Sequence, residues 1–233
     1  MKDEPPIAAV PGAATVDWPA VDTLLLDMDG TLLDLHFDTQ FWLEHMPRRY
    51  AEHHGIELAC ARDDLYARYR AVEGTMSWYC LDYWSRELGM DVAVLKQEVE
   101  HLIAVHPHVV EFLDAVRAGG RPAVLVTNAH GKSLTLKLRR TRLGAHLDTI
   151  VCAHDLGLPK EETGFWARLQ ERVPFDPRRA LLVDDSLAVL RSARRYGIGH
   201  LLSVYRPDSR APAREQTEFP ALRSFRDIMP PSA

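Results

Sequence analysis

The sequence predicts an α/β fold: a Rossmann-like parallel sheet with helices on both faces and a helical cap inserted after its first strand. Three observations point there. Short apolar runs, Thr23 to Leu26, Ala123 to Thr127 and Ala180 to Val183, end in polar residues, as buried strands do. From Val109 onward such runs alternate with amphipathic helical segments, the pattern of parallel strands joined by crossovers. Between about Leu35 and His106 strand character disappears and helix-like, aromatic-rich segments take over. The expected division is therefore a flexible tail over 1–17, a core domain made of 18–34 and 107–233, and a cap over 35–106.

In chain order, the first sixteen residues are rich in alanine and proline and lack the apolar stretch of a secretory signal. The first strand follows at Thr23. The insert predicts four helices: Asp38 to His54, closed by Gly55; Arg62 to Val72; Trp78 to Leu88, with Leu81, Trp84 and Leu88 at helical spacing; and a segment capped by Asp91 that runs to about Ile103. Val109, Phe112, Leu113 and Val116 then mark a helix stopped by Gly119-Gly120. After the strand at Ala123 come a helix, a short strand near Thr149 to Cys152, a helix around Glu161 to Val173 and the strand Ala180 to Val183. A helix bearing Leu187, Leu190 and Ala193, a strand near His200 to Val204 and a last element near Ala221 to Ile228 complete the chain.

At 233 residues and 46% hydrophobic, the chain can bury one sizeable core with a smaller attached domain. A formal net charge of -5 without a basic block argues against a nucleic-acid partner. No stretch is apolar for the length a membrane span needs. Cys60, Cys80 and Cys152 are scattered and form no Cys-x-x-Cys pair, which predicts reduced thiols in a cytoplasmic protein.

Four polar clusters stand at strand ends or in connecting loops: Asp27-Met28-Asp29-Gly30-Thr31, Thr127-Asn128, Lys160 and Asp184-Asp185-Ser186. Parallel strands bring their carboxyl ends to one edge, so these residues can share a cleft. Acids at that density repel one another unless a cation neutralises them, and an all-oxygen set suits Mg²⁺.

This set resembles the haloacid dehalogenase superfamily from about Val21 to Val204. The resemblance implies that Asp27 is the nucleophile and Asp29 the general acid and base. It implies that Thr127 and Asn128 bind the phosphoryl group and that Lys160 holds both that group and Asp27. Asp185 and Asp184, with Asp27 and the main-chain carbonyl of Asp29, would form the magnesium site. Because a halide leaving group needs no proton, the presence of Asp29 favours phosphate ester chemistry.

The insert corresponds in that family to a cap that closes over the cleft. Its most distinctive stretch, Ser77 to Ser85, carries four aromatic residues in seven. Tyr79 and Tyr83, four apart, would share a helix face and could meet a flat base; the same rings could equally form the cap's own core. His130, just beyond Thr127-Asn128, could approach a phosphate. Together with Thr127 to His130 and Pro207-Asp208-Ser209, the first motif and the Trp78 to Trp84 stretch resemble the bacterial GMP/IMP 5'-nucleotidase group. That likeness alone implies a purine nucleotide as the small-molecule phosphate monoester. The residues themselves leave a sugar phosphate or phosphoglycolate phosphatase, a phosphomutase and a phosphoprotein-binding module open.

Overall fold

The computed structural model describes residues 14–214 and 218–231. Its strands are β1 (Thr23–Leu26), β2 (Ala123–Thr127), β3 (Thr149–Cys152), β4 (Ala180–Val183), β5 (His200–Val204) and β6 (Ala221–Leu222). They form one parallel sheet in the order β3-β2-β1-β4-β5-β6. β1, β2 and β4 are buried along their whole length, which is why they read as unbroken apolar runs.

In chain order, the helices of the insert are α1 (His36–Gln40), α2 (Met46–His54), α3 (Leu58–Val72), α4 (Met76–Tyr79), α5 (Leu81–Leu88) and α6 (Val92–Glu98). The crossovers supply α7 (Val109–Ala118), α8 (Gly131–Thr141), α9 (Ala153–Leu156), α10 (Thr163–Arg172) and α11 (Leu187–Tyr196). Leu24 and Leu26 face a core shared with Phe112 and Val116 of α7 and Leu134 of α8. Leu25 faces the opposite core, with Phe165 and Trp166 of α10 and Leu190 of α11. This alternation follows from the two-residue period of a strand.

The insert has an apolar cluster of its own, including Phe41, Tyr50, Leu65, Trp84 and Leu95. Its two connectors run side by side. Leu33 bridges Val105, Asp34 N–H donates to Ala104 O at 2.9 Å, and His106 N–H donates to Leu32 O at 2.9 Å. Asp34 Oδ1 accepts from the N–H groups of His36 and Ser209, both at 3.0 Å, which ties the root of the insert to the Pro207-Asp208-Ser209 loop.

Several expected boundaries shift. The helix expected from Asp38 starts at His36 and passes through a π-helical turn, Phe41–His45, before α2. The segment after Asp91 leaves the α-helix at Glu98 and ends in a 3-10 turn at Glu100–Leu102. The helix expected over Trp78 to Leu88 is broken at Cys80, whose backbone is extended (φ -87, ψ 109). Local hydrogen bonds favour the break: Cys80 Sγ accepts from Tyr83 N–H at 3.4 Å and so caps α5, while Trp84 Nε1–H donates to Trp78 O at 2.9 Å. Of the tail expected over 1–17, residues 1–13 lie outside the described ones, and Ala14 is buried against the first core.

Candidate active site

The sheet reverses its winding between β1 and β4, and in open α/β sheets the crevice outside the strand ends at such a switch point takes the ligand. Asp27 follows β1 directly, and Asp184 and Asp185 follow β4. The Asp27 N–H donates to Val183 O at 3.0 Å, so the two strand ends are locked together. Lys160 arrives from the loop after α9 and is 2% exposed. Its Nζ donates to Asp27 Oδ1 at 2.5 Å, to Asp184 Oδ2 at 2.7 Å and to Val126 O at 3.1 Å. One ammonium thus spans the ends of three strands.

Burial alone would lower the Lys160 pKa, but Asp184 and Asp27 beside it hold it well above the ordinary lysine value. Burial pushes Asp27 up to about 7, with Lys160 opposing and Asp184 adding to the rise. Asp185 is likewise pushed up to about 7 by burial and Asp27, and Asp184 to about 6 by burial against the pull of Lys160. A single lysine does not neutralise these three acids.

Asp27, Asp184 and Asp185 each turn a carboxylate oxygen to a common point, all within 4.8 Å of one another. Hard oxygen ligands in a buried, charge-deficient cluster fit a divalent cation such as Mg²⁺. Gly30 keeps that space open. It sits at φ 84, and a Cβ there would lie 2.8 Å from both Asp185 Cγ and Asp185 Oδ2. Arg214 Nη1 reaches Asp185 from the loop after β5, at 2.9 Å from its carbonyl oxygen and 3.1 Å from Oδ2.

Thr127 Oγ1 ends β2 and accepts from Ala129 N–H at 3.0 Å. The Asn128 side chain accepts from Lys160 N–H at 3.0 Å and donates to Glu161 Oε2 at 2.9 Å, so it orients the lysine loop. Both residues line a cavity of about 400 Å³ together with Asp27, Asp29, Lys160, Asp184 and Asp185. Trp42, Tyr69, Trp78, Tyr79 and Trp84 of the insert line the same cavity.

The aromatic residues divide differently from the expectation. Tyr79 lines the cavity, and its hydroxyl donates to Glu161 Oε1 at 2.5 Å. Tyr83 is not among the cavity's lining residues; it packs in the insert against Trp84, ring centroids 5.1 Å apart. The break at Cys80 takes the two tyrosines off a common helix, so four-residue spacing no longer implies a common face. His130 lines the cavity as the N-cap of α8, with Nδ1 accepting from Lys132 N–H at 3.4 Å and its ring 4.9 Å from that of His154.

Sequence reasoning missed a second charged group. Lys137 Nζ lies 2.7 Å from Asp29 Oδ1 and 2.6 Å from Asp38 Oδ2, and Lys96 Nζ lies 2.6 Å from Asp38 Oδ1. The approach to Asp29 is off-line for a hydrogen bond, so that contact is mainly Coulombic. Both lysines are at most 2% exposed, and Lys96 lies over the rings of Phe37 and Phe41. Burial raises the Asp29 pKa, with Lys137 opposing, whereas for Asp38 the two lysines overcome burial and pull it down to about 2. The signal was present: Lys137 follows Leu134 by three residues and Lys96 follows Val92 by four, on apolar helix faces.

The fold agrees with the family resemblance. The chain belongs to the haloacid dehalogenase-like hydrolases, whose family model matches residues 21–197. It is 38% identical over 215 residues to the GMP/IMP nucleotidase YrfG of Escherichia coli (strain K12), covering 92% of this chain and 97% of that one. It is 24% identical to the pyrophosphatase PpaX of Bacillus velezensis, covering 81% of this chain and 90% of the relative. Among solved structures, a HAD phosphatase from Thermococcus onnurineus superposes with a TM-score of 0.74 at 20% identity, over 89% of this chain and 95% of the other. Among the described residues, no helix is long and apolar enough to cross a membrane.

Proposed function

We propose that this hydrolase is a Mg²⁺-dependent phosphatase of purine nucleoside 5'-monophosphates that works through an aspartyl phosphate on Asp27. The observation that carries the reaction class is Lys160, buried between Asp27 and Asp184 and lining a cavity that aromatic rings also line. The purine rests on the 38% identical nucleotidase, with the cavity's size and aromatic wall in support. The division into a core and a cap over 35–106 belongs to the same reading, supported by the insert's own apolar cluster.

In this mechanism Asp27 attacks phosphorus in line with the ester oxygen. A magnesium ion held by Asp27, Asp184, Asp185 and the Asp29 carbonyl would offset the repulsion between the carboxylate and the anionic phosphate. Lys160 orients Asp27 and balances charge on the transferring group, while Thr127 Oγ1 and the Asn128 N–H bind its oxygens. Asp29 protonates the leaving alcohol and later takes a proton from the water that releases phosphate; burial keeps its pKa raised, which favours the acid form at the first step. Tyr79, held by Glu161 next to the Asn128 and Lys160 contacts, is the insert residue assigned to the phosphate end of the substrate in this reading.

The test is phosphate release from a panel of phosphomonoesters, compared by kcat/KM, with Mg²⁺ and with EDTA. GMP or IMP should lead the panel, EDTA should abolish turnover, and Asp27→Asn should be inactive. Full activity in that variant defeats the mechanism, and preference for a sugar phosphate over every nucleotide defeats the substrate assignment.

A further inference from the structure

A second ligand cluster lies outside the carboxylate site and joins the insert to the sheet unit. Cys80 sits in the extended break between α4 and α5, on the insert. His130 follows β2 and His154 lies in α9 after β3, both on the sheet unit. One sulfur and two ring nitrogens from these three residues lie within 4.8 Å of one another, and all three side chains are half-buried. Tetrahedral zinc, with bonds of about 2.3 Å to sulfur and about 2.0 Å to nitrogen, needs ligand atoms roughly 3.5 Å apart. Ligand atoms within 4.8 Å of one another would have to draw together by up to about 1.3 Å to reach that geometry.

The hydrogen bonds around His154 leave one of its ring nitrogens free for such a role. Cys152 Sγ donates to Ala129 O at 3.1 Å, so the Sγ to His154 Nδ1 contact at 3.7 Å places the proton on Nδ1. His154 Nε2 then carries a lone pair, and that atom is buried without a hydrogen-bond partner. A buried acceptor left unpaired is destabilising, and a ligand would offset that cost. His130 ligates through Nε2 in the tautomer that gives up the 3.4 Å contact between its Nδ1 and Lys132 N–H. The Cys80 sulfur is held in place by the Tyr83 N–H. Asp82 Oδ2 lies 3.7 Å from His130 Nε2, and its other oxygen neutralises Lys132 at 2.6 Å, so the nearby ammonium does not repel a cation unopposed.

We propose that Cys80, His130 and His154 bind a zinc-class divalent cation that pins the insert onto the sheet unit. Binding releases the Cys80 thiol proton to solvent, forms one metal–sulfur and two metal–nitrogen bonds, and leaves a fourth position to water or Asp82. Sulfur and nitrogen ligands select against Mg²⁺, so the two cations sort to different clusters. A cap must open to release product, so pinning it closed slows turnover. Metal capture by the cluster does not depend on the proposed reaction; its effect on turnover does.

Cobalt(II) tests the binding directly, because a thiolate ligand gives a sulfur-to-cobalt charge-transfer absorption that carboxylates do not. Titrated into the full-length protein with Mg²⁺ in excess, cobalt should produce that absorption at one equivalent, and zinc should abolish it. Cys80→Ser keeps a side-chain acceptor for Tyr83 N–H and should lose the absorption, while His154→Gln should weaken binding about tenfold or more. No absorption in the native protein, or one that persists in Cys80→Ser, overturns the site. In the second arm, zinc added to the Mg²⁺-saturated enzyme should slow hydrolysis of an aryl phosphate about tenfold in the native protein, with Cys80→Ser resistant. Equal inhibition of both, or none in the native protein, overturns the pinning.

Discussion

Replacing Lys137 by methionine tests whether the buried charge group supports the acid at position 29. Lys137 is 1% exposed and is the cation that Asp29 and Asp38 share, at 2.7 and 2.6 Å. Without it Asp38 keeps its contact with Lys96 at 2.6 Å, but Asp29 loses the one ammonium in direct contact with it. Removing one member of a buried ion pair costs about 3–5 kcal/mol, because the charge left behind stays desolvated. The sign with pH follows. Asp29 in the variant has a folded pKa raised further above its unfolded value, so the folded state binds the extra proton and the penalty shrinks as pH falls. Urea unfolding at pH 7 should show a loss of about 3 kcal/mol, smaller at pH 5. Adding Asp29→Asn to Lys137→Met should return about half of that loss, since the orphaned charge is gone. A cost below about 1 kcal/mol, or no recovery in the double variant, would refute the coupling.

Three further outcomes follow from particular contacts. Gly30→Ala places a Cβ 2.8 Å from the Asp185 carboxylate and holds a non-glycine residue at φ 84, so it should cost about 1–2 kcal/mol in backbone strain. The Mg²⁺ concentration for half-maximal activity should rise about tenfold in the same variant, read from a magnesium titration. Tyr79→Phe removes the hydroxyl that Glu161 holds at 2.5 Å, and kcat/KM for GMP should fall about tenfold, about 1.4 kcal/mol, with stability little changed. Asp38, pulled down to about 2 from 3.8, contributes about 2 kcal/mol of stability above its unfolded pKa; acid unfolding should show that share vanishing as pH falls through 2, and Asp38→Asn should flatten that part of the curve.

What was legible in the chain depended on the range over which each residue acts. Asp27 and Asp184 end apolar runs buried on both faces, so their place at one sheet edge followed from local pattern and the rule for parallel strands. The π-helical turn at Phe41–His45 and the break at Cys80 rest on single contacts, such as Tyr83 N–H to sulfur, that no periodicity carries. For that reason Tyr79 and Tyr83 lie on different helices and share no common face. The Lys137 to Asp38 pair spans 99 positions and exists only once the insert has folded back over β2. A lysine on an apolar helix face announces that a partner exists without saying which acid it is.

The charges around the cavity fall into two groups, and their balance bears on where the metal belongs. Asp29 and Asp38 face Lys137 and Lys96, two acids against two lysines, so no further cation is required there. Asp27, Asp184 and Asp185 face Lys160 and the half-exposed Arg214, whose contribution solvent screens. That group is short of positive charge by one or more, and its acids are the ones burial pushes to about 6 and 7. A divalent cation therefore gains most among Asp27, Asp184 and Asp185, whereas the Asp29 carboxyl already has Lys137 beside it at 2.7 Å and gains less from one.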